Sequence, residues 1–258
     1  MKYLTSVAKN LRPALVLFGL FGGVMGSHHA LADFKVYSPY VEKDTIEIEA
    51  RGHIVTDRNP ERRSARQDKF EIGYGVTDWW STSFFTEHER EPGETYRHSA
   101  TAWENIFQLT ERGKYWLDAG LYVEYASAAE KSAADTLELK LLLEKNIGKF
   151  SNTVNLIFER EIGKNSSSRD VETSYAWRTR YRWKPELEPG IEIYGGLGNL
   201  EGLKVSSAYS HQAGPVISGK FRLDSKSALL YQVGYLFGLN HNSDDGAVKW
   251  QLEYERHF

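Results

Sequence analysis

The chain has 258 residues, with 35 Asp and Glu against 32 Lys and Arg, a net charge of −3 and no cysteine. The lack of cysteine excludes disulfide-stapled folds and cysteine-ligated metal sites. The acidic balance argues against a nucleic-acid-binding protein, which needs a basic surface. Beyond residue 32, no apolar run approaches the ~18 residues that a membrane-spanning helix requires.

The N-terminus has the three parts of a cleaved secretory signal. Basic residues and no acid lie in the first 12 positions, followed by an apolar core at 14–26 and the sequence Ala-Leu-Ala at 30–32. The core is short for a bilayer span, and its glycines weaken a helix. We therefore predict that residues 1–32 are removed and that residues 33–258 form the mature domain.

Segments of about ten residues, in which apolar and polar side chains alternate, recur to the end of the chain. Period two is the pattern of a β-strand. In the eighth segment, Tyr175 and Trp177 alternate with Arg178 and Arg180. The third, fourth, ninth and tenth segments alternate weakly, and Pro215 argues against a strand in the tenth. The twelve predicted strands are 45–56, 67–76, 79–88, 97–109, 115–126, 135–145, 150–160, 172–183, 190–197, 211–221, 227–239 and 247–258.

The lengths of the connections differ between odd and even strands. Short connections follow the even strands, at 77–78, 111–114, 146–148, 184–188 and 223–226. Longer, polar connections follow the odd strands, at 57–66, 89–96, 161–171 and 198–210. Short turns at one end and long loops at the other are typical of outer-membrane barrels. The pattern predicts that both termini are periplasmic.

Alternation alone does not decide which face of the sheet is buried. In a soluble barrel the apolar face points inward, whereas in a membrane barrel it faces lipid and the polar face lines a wet lumen. Twelve strands exceed what a small barrel filled by side chains usually needs, and the chain has little material for a second layer. We therefore predict an all-β fold, a single antiparallel transmembrane β-barrel.

The C-terminal residues resemble the insertion signal of bacterial outer-membrane barrels, which ends in Phe preceded by alternating hydrophobic residues. Trp250, Leu252, Tyr254 and Phe258 match this pattern, and Arg256 departs from it. The resemblance implies that the barrel-assembly machinery inserts the chain through its last strand and that outer-membrane lipid surrounds it. Residues 37–43 and 212–216 are similar to an uncharacterised proteobacterial barrel group associated with phenol-pathway outer-membrane proteins.

The most distinctive polar feature is a row of three arginines, Arg178, Arg180 and Arg182, on one face of the eighth strand. They could line a constriction in the lumen that favours anions. Alternatively they could form structural ion pairs, since a turn centred on Leu187 would place Arg182 opposite Glu192, and arginine binds carboxylates in a bidentate manner. Both hypotheses stay open at this point.

The sequence His-Asn-Ser-Asp-Asp at 241–245 invites comparison with barrel hydrolases. Outer-membrane phospholipase A has a His-x-Ser spacing with an Asn partner, and omptin proteases use Asp and His at a barrel mouth. Here the residues fall in a predicted loop, and nothing else of either pattern occurs. We therefore expect a polar surface turn, no catalytic residues, and neither a metal nor another cofactor.

The leading functional hypothesis is a passive, porin-like channel for small solutes, with no nucleic-acid partner. It depends on a polar lumen that neither side chains nor a loop fill. Two alternatives are a barrel enzyme that acts on lipid or peptide and a closed barrel with a structural or adhesive role. An enzyme would need converging catalytic groups, whereas a pore would need an unplugged lumen.

Overall fold

The computed structural model describes residues 34–258, which form a closed antiparallel barrel of twelve strands. The predicted signal at 1–32 lies outside the described residues. Neighbouring strands pair in sequence order, and β1 closes the barrel against β12, with Thr45 opposite His257. The strands are β1 Thr45–Thr56, β2 Arg66–Gly75, β3 Trp80–Arg90, β4 Arg97–Gln108, β5 Asp118–Ala128, β6 Asp135–Ile147, β7 Phe150–Ile162, β8 Glu172–Tyr181, β9 Glu188–Asn199, β10 His211–Arg222, β11 Ser227–Gly238 and β12 Gly246–His257. The predicted twelve-stranded barrel is confirmed.

The four segments with weak alternation are all strands, including the one that contains Pro215. Pairing between β10 and β11 is interrupted at Gly214 and Pro215 and resumes in the same register at Val216. Proline has no N–H to donate to a neighbouring strand, so it fits where the ladder is already broken. The doubt about the tenth strand was therefore wrong.

The shortest and the longest connections lie at the ends of the barrel where the sequence predicts short and long connections. The turn between β6 and β7 has two residues, and Gly148 there has a φ of 57°, which glycine adopts without strain. The longest loop joins β9 to β10 and contains a short 3₁₀ helix, Leu200–Gly202. The connection at 109–117, between β4 and β5, is longer than predicted for its end of the barrel. Over residues 34–258, no helix is both long and apolar enough to cross a membrane.

The outer surface of the barrel is apolar. Its exposed strand residues include Ile48, Phe70, Ile72, Phe84, Trp103, Leu137, Leu139, Trp177, Ile191, Ile217, Val233, Phe237, Val248 and Leu252. Exposed aromatic residues mark the end of the barrel that carries the turns after the even strands: Trp79, Tyr115, Trp116, Phe150, Trp183, Phe221 and Phe258. An apolar band bordered by an aromatic girdle is the exterior that a transmembrane barrel presents to lipid.

The alternate residues of each strand face the lumen, and most of them are polar or charged. Many are nevertheless buried, among them Glu49, Arg51, Glu104, Lys140 and Glu192. Charged groups are buried in proteins when they are paired and hydrogen-bonded. The interior is therefore a packed polar network, to which residues 34–42, ahead of β1, also contribute.

Candidate functional site

Residues 34–42, here called the N-terminal segment, fold back into the lumen instead of extending away from the barrel. The chain reverses at Lys43 and Asp44, where Asp44 has a φ of 55° in the left-handed region and its N–H donates to the carbonyl of Gly75 (2.8 Å). Aspartate is among the few non-glycine residues that tolerate this conformation. The segment therefore enters from the periplasmic end, where β1 begins.

The barrel wall binds the backbone of the segment through amide side chains. The side-chain oxygen of Asn155 accepts from the N–H of Tyr37 (2.7 Å), and its amide donates to the Tyr37 carbonyl (2.9 Å). Nearer the periplasmic end, the Gln108 side chain accepts from the N–H of Val41 (3.0 Å). These bonds satisfy buried backbone groups that have no strand partner.

The inner end of the segment packs against apolar parts of the wall. Val36 lies in a buried cluster with Ala176, Tyr194 and Leu236. The ring of Phe34 meets that of Tyr194 edge-on, at a centroid distance of 5.1 Å. The segment is thus held by burial of apolar surface as well as by hydrogen bonds.

Tyr37 is the centre of the site, with only 2% of its surface exposed. Its hydroxyl donates to Glu104 (3.2 Å) and accepts from Arg51 (3.0 Å). The Lys140 ammonium lies 4.2 Å from the centroid of the Tyr37 ring, and the Tyr122 ring packs at 4.7 Å. Cation–π and aromatic contacts of this kind strengthen when water is excluded.

Lys35 adds an ammonium group to the lumen. Its Nζ lies 3.0 Å from Glu49 and 3.7 Å from Glu71, and 4.5 Å from the centroid of the Tyr37 ring. Arg51 contacts the same two carboxylates. The segment therefore brings its own cation to a point where acidic wall residues converge.

The segment packs closely against the wall at several levels of the lumen. A cavity next to Phe34, bordered by Arg51, Lys69 and Lys249, has a volume of about 10 Å³, room for one water molecule. Nearer the periplasmic end, a Cβ added at Gly120 would lie 3.0 Å from the Cβ of Pro39. Around Tyr37, the segment and the wall side chains of Tyr122, Leu142 and Asn155 pack together and are buried.

The predicted arginine row is only partly in the lumen. Arg178 lies opposite Glu192, so the predicted pairing of Arg182 with Glu192 was wrong by four residues. The register centres the turn on Pro185, a residue that favours turns, and not on Leu187. Arg182 lies beyond β8, exposed at the periplasmic end, where it donates to the carbonyl of Gly148 (2.7 Å).

The two other arginines have acidic neighbours. Arg180 is 3.0 Å from Glu188, and Arg178 is 4.0 Å from Glu192. Glu192 is fully buried and lies 2.6 Å from the ammonium of Lys249, on a strand that is not adjacent to β9. The sequence did not predict a role for Lys249, because its contact with Glu192 crosses the lumen and no local sequence pattern indicates it.

Acidic residues outnumber basic residues on the lumen-facing side of the strands. The bases are Arg51, Lys69, Lys140, Arg178, Arg180, Lys220, Arg222 and Lys249. The acids are Glu47, Glu49, Glu71, Glu87, Glu89, Glu104, Asp118, Glu124, Glu138, Glu144, Glu159, Glu161, Glu172, Glu188, Glu192, Glu253 and Glu255. The lumen wall therefore has a net negative charge.

Three of these acids form the grouping in the described part of the chain that most resembles a set of metal ligands. One carboxylate oxygen each from Glu47, Glu253 and Glu255 lies within 4.8 Å of the others, at the periplasmic end of the lumen. Lys220 forms an ion pair with Glu255. Acidic groups of this kind are common without an ion, and the paired lysine already supplies a cation.

The residues that resemble the insertion signal lie on β12. Trp250, Leu252 and Tyr254 alternate with lumen-facing residues and point outward. Phe258 follows the strand, and its N–H donates to the carbonyl of Asp44 (2.9 Å). The Arg256 guanidinium lies 5.8 Å from the centroid of the Phe258 ring, at the rim where a charge can reach water.

The sequence at 241–245 forms part of the loop between β11 and β12. The Ser243 hydroxyl donates to the carbonyl of His211 (2.7 Å) and accepts from its N–H (2.8 Å), so it ties this loop to the start of β10. His241 is exposed. Ser243 therefore has a structural role in joining two loops.

An apolar exterior, an aromatic girdle and a charged interior in a closed barrel define the class of bacterial outer-membrane β-barrel proteins. Such a barrel belongs in the outer membrane, where its apolar band faces lipid. The orientation deduced from the loops places the opening through which the N-terminal segment enters on the periplasmic side.

Solved structures of this class share the fold. An outer-membrane channel from Pseudomonas putida F1 has a TM-score of 0.55 at 15% identity, covering 88% of this chain and 98% of that chain. The NanC porin has a TM-score of 0.51 at 9% identity, covering 82% and 100%. The KdgM porin in complex with a disordered oligogalacturonate has a TM-score of 0.50 at 10% identity, covering 82% and 99%. No protein-family model and no curated protein matches the chain, and the resemblance to a phenol-pathway group stays a prediction.

Proposed function

We propose that the protein is a porin-like channel for small solutes and that its N-terminal segment closes the lumen. The main observation behind the proposal is the position of this segment, which lies inside a polar lumen and packs against the wall without being part of it. The hydrogen bonds that close the barrel join β1 to β12 and do not involve it. Displacement of the segment would therefore open a path without breaking the wall.

The contacts that hold the segment are suited to reversible release. They include two hydrogen bonds from Asn155, a small apolar cluster around Val36, the charged contacts of Lys35 and the hydrogen bonds of the Tyr37 hydroxyl, and none of them is covalent. A net hydrogen bond contributes roughly 0.5–1.5 kcal/mol. Substitutions that remove several of these contacts should therefore raise the population of the displaced segment.

Within this proposal, Arg178 and Arg180 have a structural role, because each has an acidic neighbour on β9. Trp250, Leu252, Tyr254 and Phe258 serve as the insertion signal that the barrel-assembly machinery binds. Outer-membrane lipid covers the apolar band, and solutes are the transient partners. The proposal includes no catalytic residue and no cofactor.

Conductance of a variant with a weakened segment tests the proposal. Val36→Asn places an amide in an apolar cluster, and Asn155→Val removes both hydrogen bonds to Tyr37. Together these changes disfavour the docked segment by about 2 kcal/mol or more, a factor of roughly 30 in the ratio of displaced to docked states. We expect this release variant to conduct in planar bilayers much more often than the wild type, because neither change touches the hydrogen bonds of the wall.

The matched control is Val205→Asn, which makes the same change at an exposed position of the loop between β9 and β10. Heat-modifiable mobility on gels confirms that each barrel is folded. Thiol labelling of an added Ser38→Cys reports whether the segment has left the lumen. A folded release variant that is labelled at this position but conducts no ions would contradict the proposal and favour the closed structural barrel.

A further inference from the structure

The lumen wall carries a row of carboxylates in direct register. Glu124 on β5 lies opposite Glu138 on β6, and Glu138 lies opposite Glu159 on β7. Like charges directly opposite one another are unfavourable in a sheet. Lys140 is 2.9 Å from Glu138, so a cation is already held beside this row.

A second concentration of negative charge lies at the other end of the lumen. Glu47 is opposite Glu255 across the β1–β12 seam, and Glu253 lies beside both. A solute that crosses the barrel therefore passes acidic groups near both openings. Charged rings of this sign raise the local concentration of cations, since a narrow lumen with low-dielectric walls focuses the field.

An independent observation shows which chemistry the middle of the lumen binds. The group that the N-terminal segment places there is the ammonium of Lys35, which lies between the wall carboxylates of Glu49 and Glu71. When the segment is displaced, this ammonium leaves with it, and the middle of the lumen loses a positive charge beside Glu49 and Glu71. The position it vacates fits the ammonium group of a passing solute.

We infer that the open channel selects cations, and that its solutes are small organic cations such as amines. The inference rests on the proposed function, because it describes the path that displacement of the N-terminal segment opens. It also replaces the hypothesis of an anion-selective constriction at Arg178 and Arg180, since those guanidinium groups face carboxylates on β9.

The test is the reversal potential of the release variant, Val36→Asn/Asn155→Val, in a KCl gradient across a planar bilayer. Neither substitution changes the charge of the chain. We expect K⁺ permeability to exceed Cl⁻ permeability by about threefold or more. A gradient of methylammonium chloride in the same direction should give a reversal potential of the same sign as the KCl gradient.

Neutralising the carboxylate row identifies the source of the selectivity. In the release variant, Glu124→Gln/Glu138→Gln/Glu159→Gln should reduce the K⁺ to Cl⁻ permeability ratio by about half or more. The matched control is the same charge change at exposed loop positions, and its substitutions are Glu61→Gln, Glu94→Gln and Glu201→Gln. If the triple lumen variant does not fold, the single change Glu159→Gln should shift the ratio in the same direction by a smaller amount.

The possible outcomes separate this inference from the function on which it rests. A release variant that conducts K⁺ and Cl⁻ equally, or prefers Cl⁻, overturns the cation selectivity and leaves the channel intact. Equal effects of the lumen and loop substitutions also overturn the inference, because the selectivity would then come from the loops. A folded, released barrel that conducts neither ion overturns the proposed function and the inference with it.

Discussion

Single charged residues in the lumen depend on partners from distant strands. The carboxylate of Glu192 receives the ammonium of Lys249 at 2.6 Å, the hydroxyl of Tyr194 at 2.7 Å and the amide of Gln232 at 3.1 Å. Since Glu192 is fully buried, water does not replace a lost partner. Removing one member of a buried ion pair leaves an uncompensated charge, which is the costly case.

Lys249→Met should therefore lower the free energy of unfolding by about 3 kcal/mol or more. The control is Lys204→Met, which removes the same charge from an exposed loop and should have little effect. Urea unfolding of the refolded protein in detergent or lipid vesicles measures both. An unchanged midpoint for Lys249→Met would mean that Glu192 is hydrated or paired elsewhere.

At the extracellular end, an ion pair between Arg58 and Asp245 helps to link two loops. The Arg58 guanidinium donates to the Asp245 carboxylate (2.7 Å), and the Arg58 backbone N–H donates to it as well (3.1 Å). These hydrogen bonds lower the pKa of Asp245 to about 2. Because this pKa is below the ~3.9 of an unfolded aspartate, the link is fully present above about pH 4 and is lost as the pH falls through about 2.

We expect the NMR titration of the Asp245 carboxyl carbon to have its midpoint near 2 in the wild type. In Arg58→Gln the midpoint should rise toward ~3.9, since the charged donor is gone. Arg63→Gln, in the same loop but bonded to backbone carbonyls, should leave it unchanged. An Asp245 midpoint that is the same in the wild type and in Arg58→Gln would show that the link does not form in solution.

At the level of elements, the strands were predictable and their long-range contacts were not. Period two assigned faces correctly, as for Leu137 and Leu139 outside and Glu138 inside, because a strand leaves each side chain only two directions. The β8–β9 register failed, since it depends on where a turn centres. The N-terminal segment was missed as an element, because it has no strand period and its anchor, Asn155, is 118 residues from Tyr37.

The C-terminal strand, β12, is followed by the terminal aromatic residue, Phe258. Phe258→Ala should lower the amount of protein assembled in the outer membrane, because it removes the terminal aromatic residue of the insertion signal. Phe221→Ala removes another exposed rim aromatic, from β10, and should assemble normally. Fractionation with heat-modifiable mobility measures both. Equal amounts of folded protein would mean that the tail does not act as that signal.

For the whole molecule, the loops and turns define an orientation. Single cysteines at Arg62, Glu94 and Asn165 should react with an impermeant thiol reagent on intact cells, since these residues lie in the loops after odd strands. Cysteines at Lys114 and Lys149 should react only after the outer membrane is opened. In this turn we choose Lys114 and not its neighbour Gly113, because Gly113 has a φ of 71°, which disfavours a side chain. Labelling of both sets on intact cells would exclude this orientation.

The barrel as a whole combines a closed wall of twelve strands with an N-terminal segment that we propose leaves the lumen when the channel opens. A disulfide between the segment and the wall would hold the segment in place and so test whether conduction depends on its movement. A Cβ at Gly120 would lie 3.0 Å from that of Pro39, so a small shift gives the ~3.5–4.5 Å separation of a disulfide. The chain has no other cysteine to interfere.

The most direct test is the conductance of Pro39→Cys/Gly120→Cys in the release variant, measured in one planar bilayer before and after reduction. We predict no conductance while the disulfide is intact, because the segment is held in the lumen. Conductance should then appear when a reductant breaks the bond. The same conductance in the oxidised and reduced protein would contradict the claim that the N-terminal segment closes the channel.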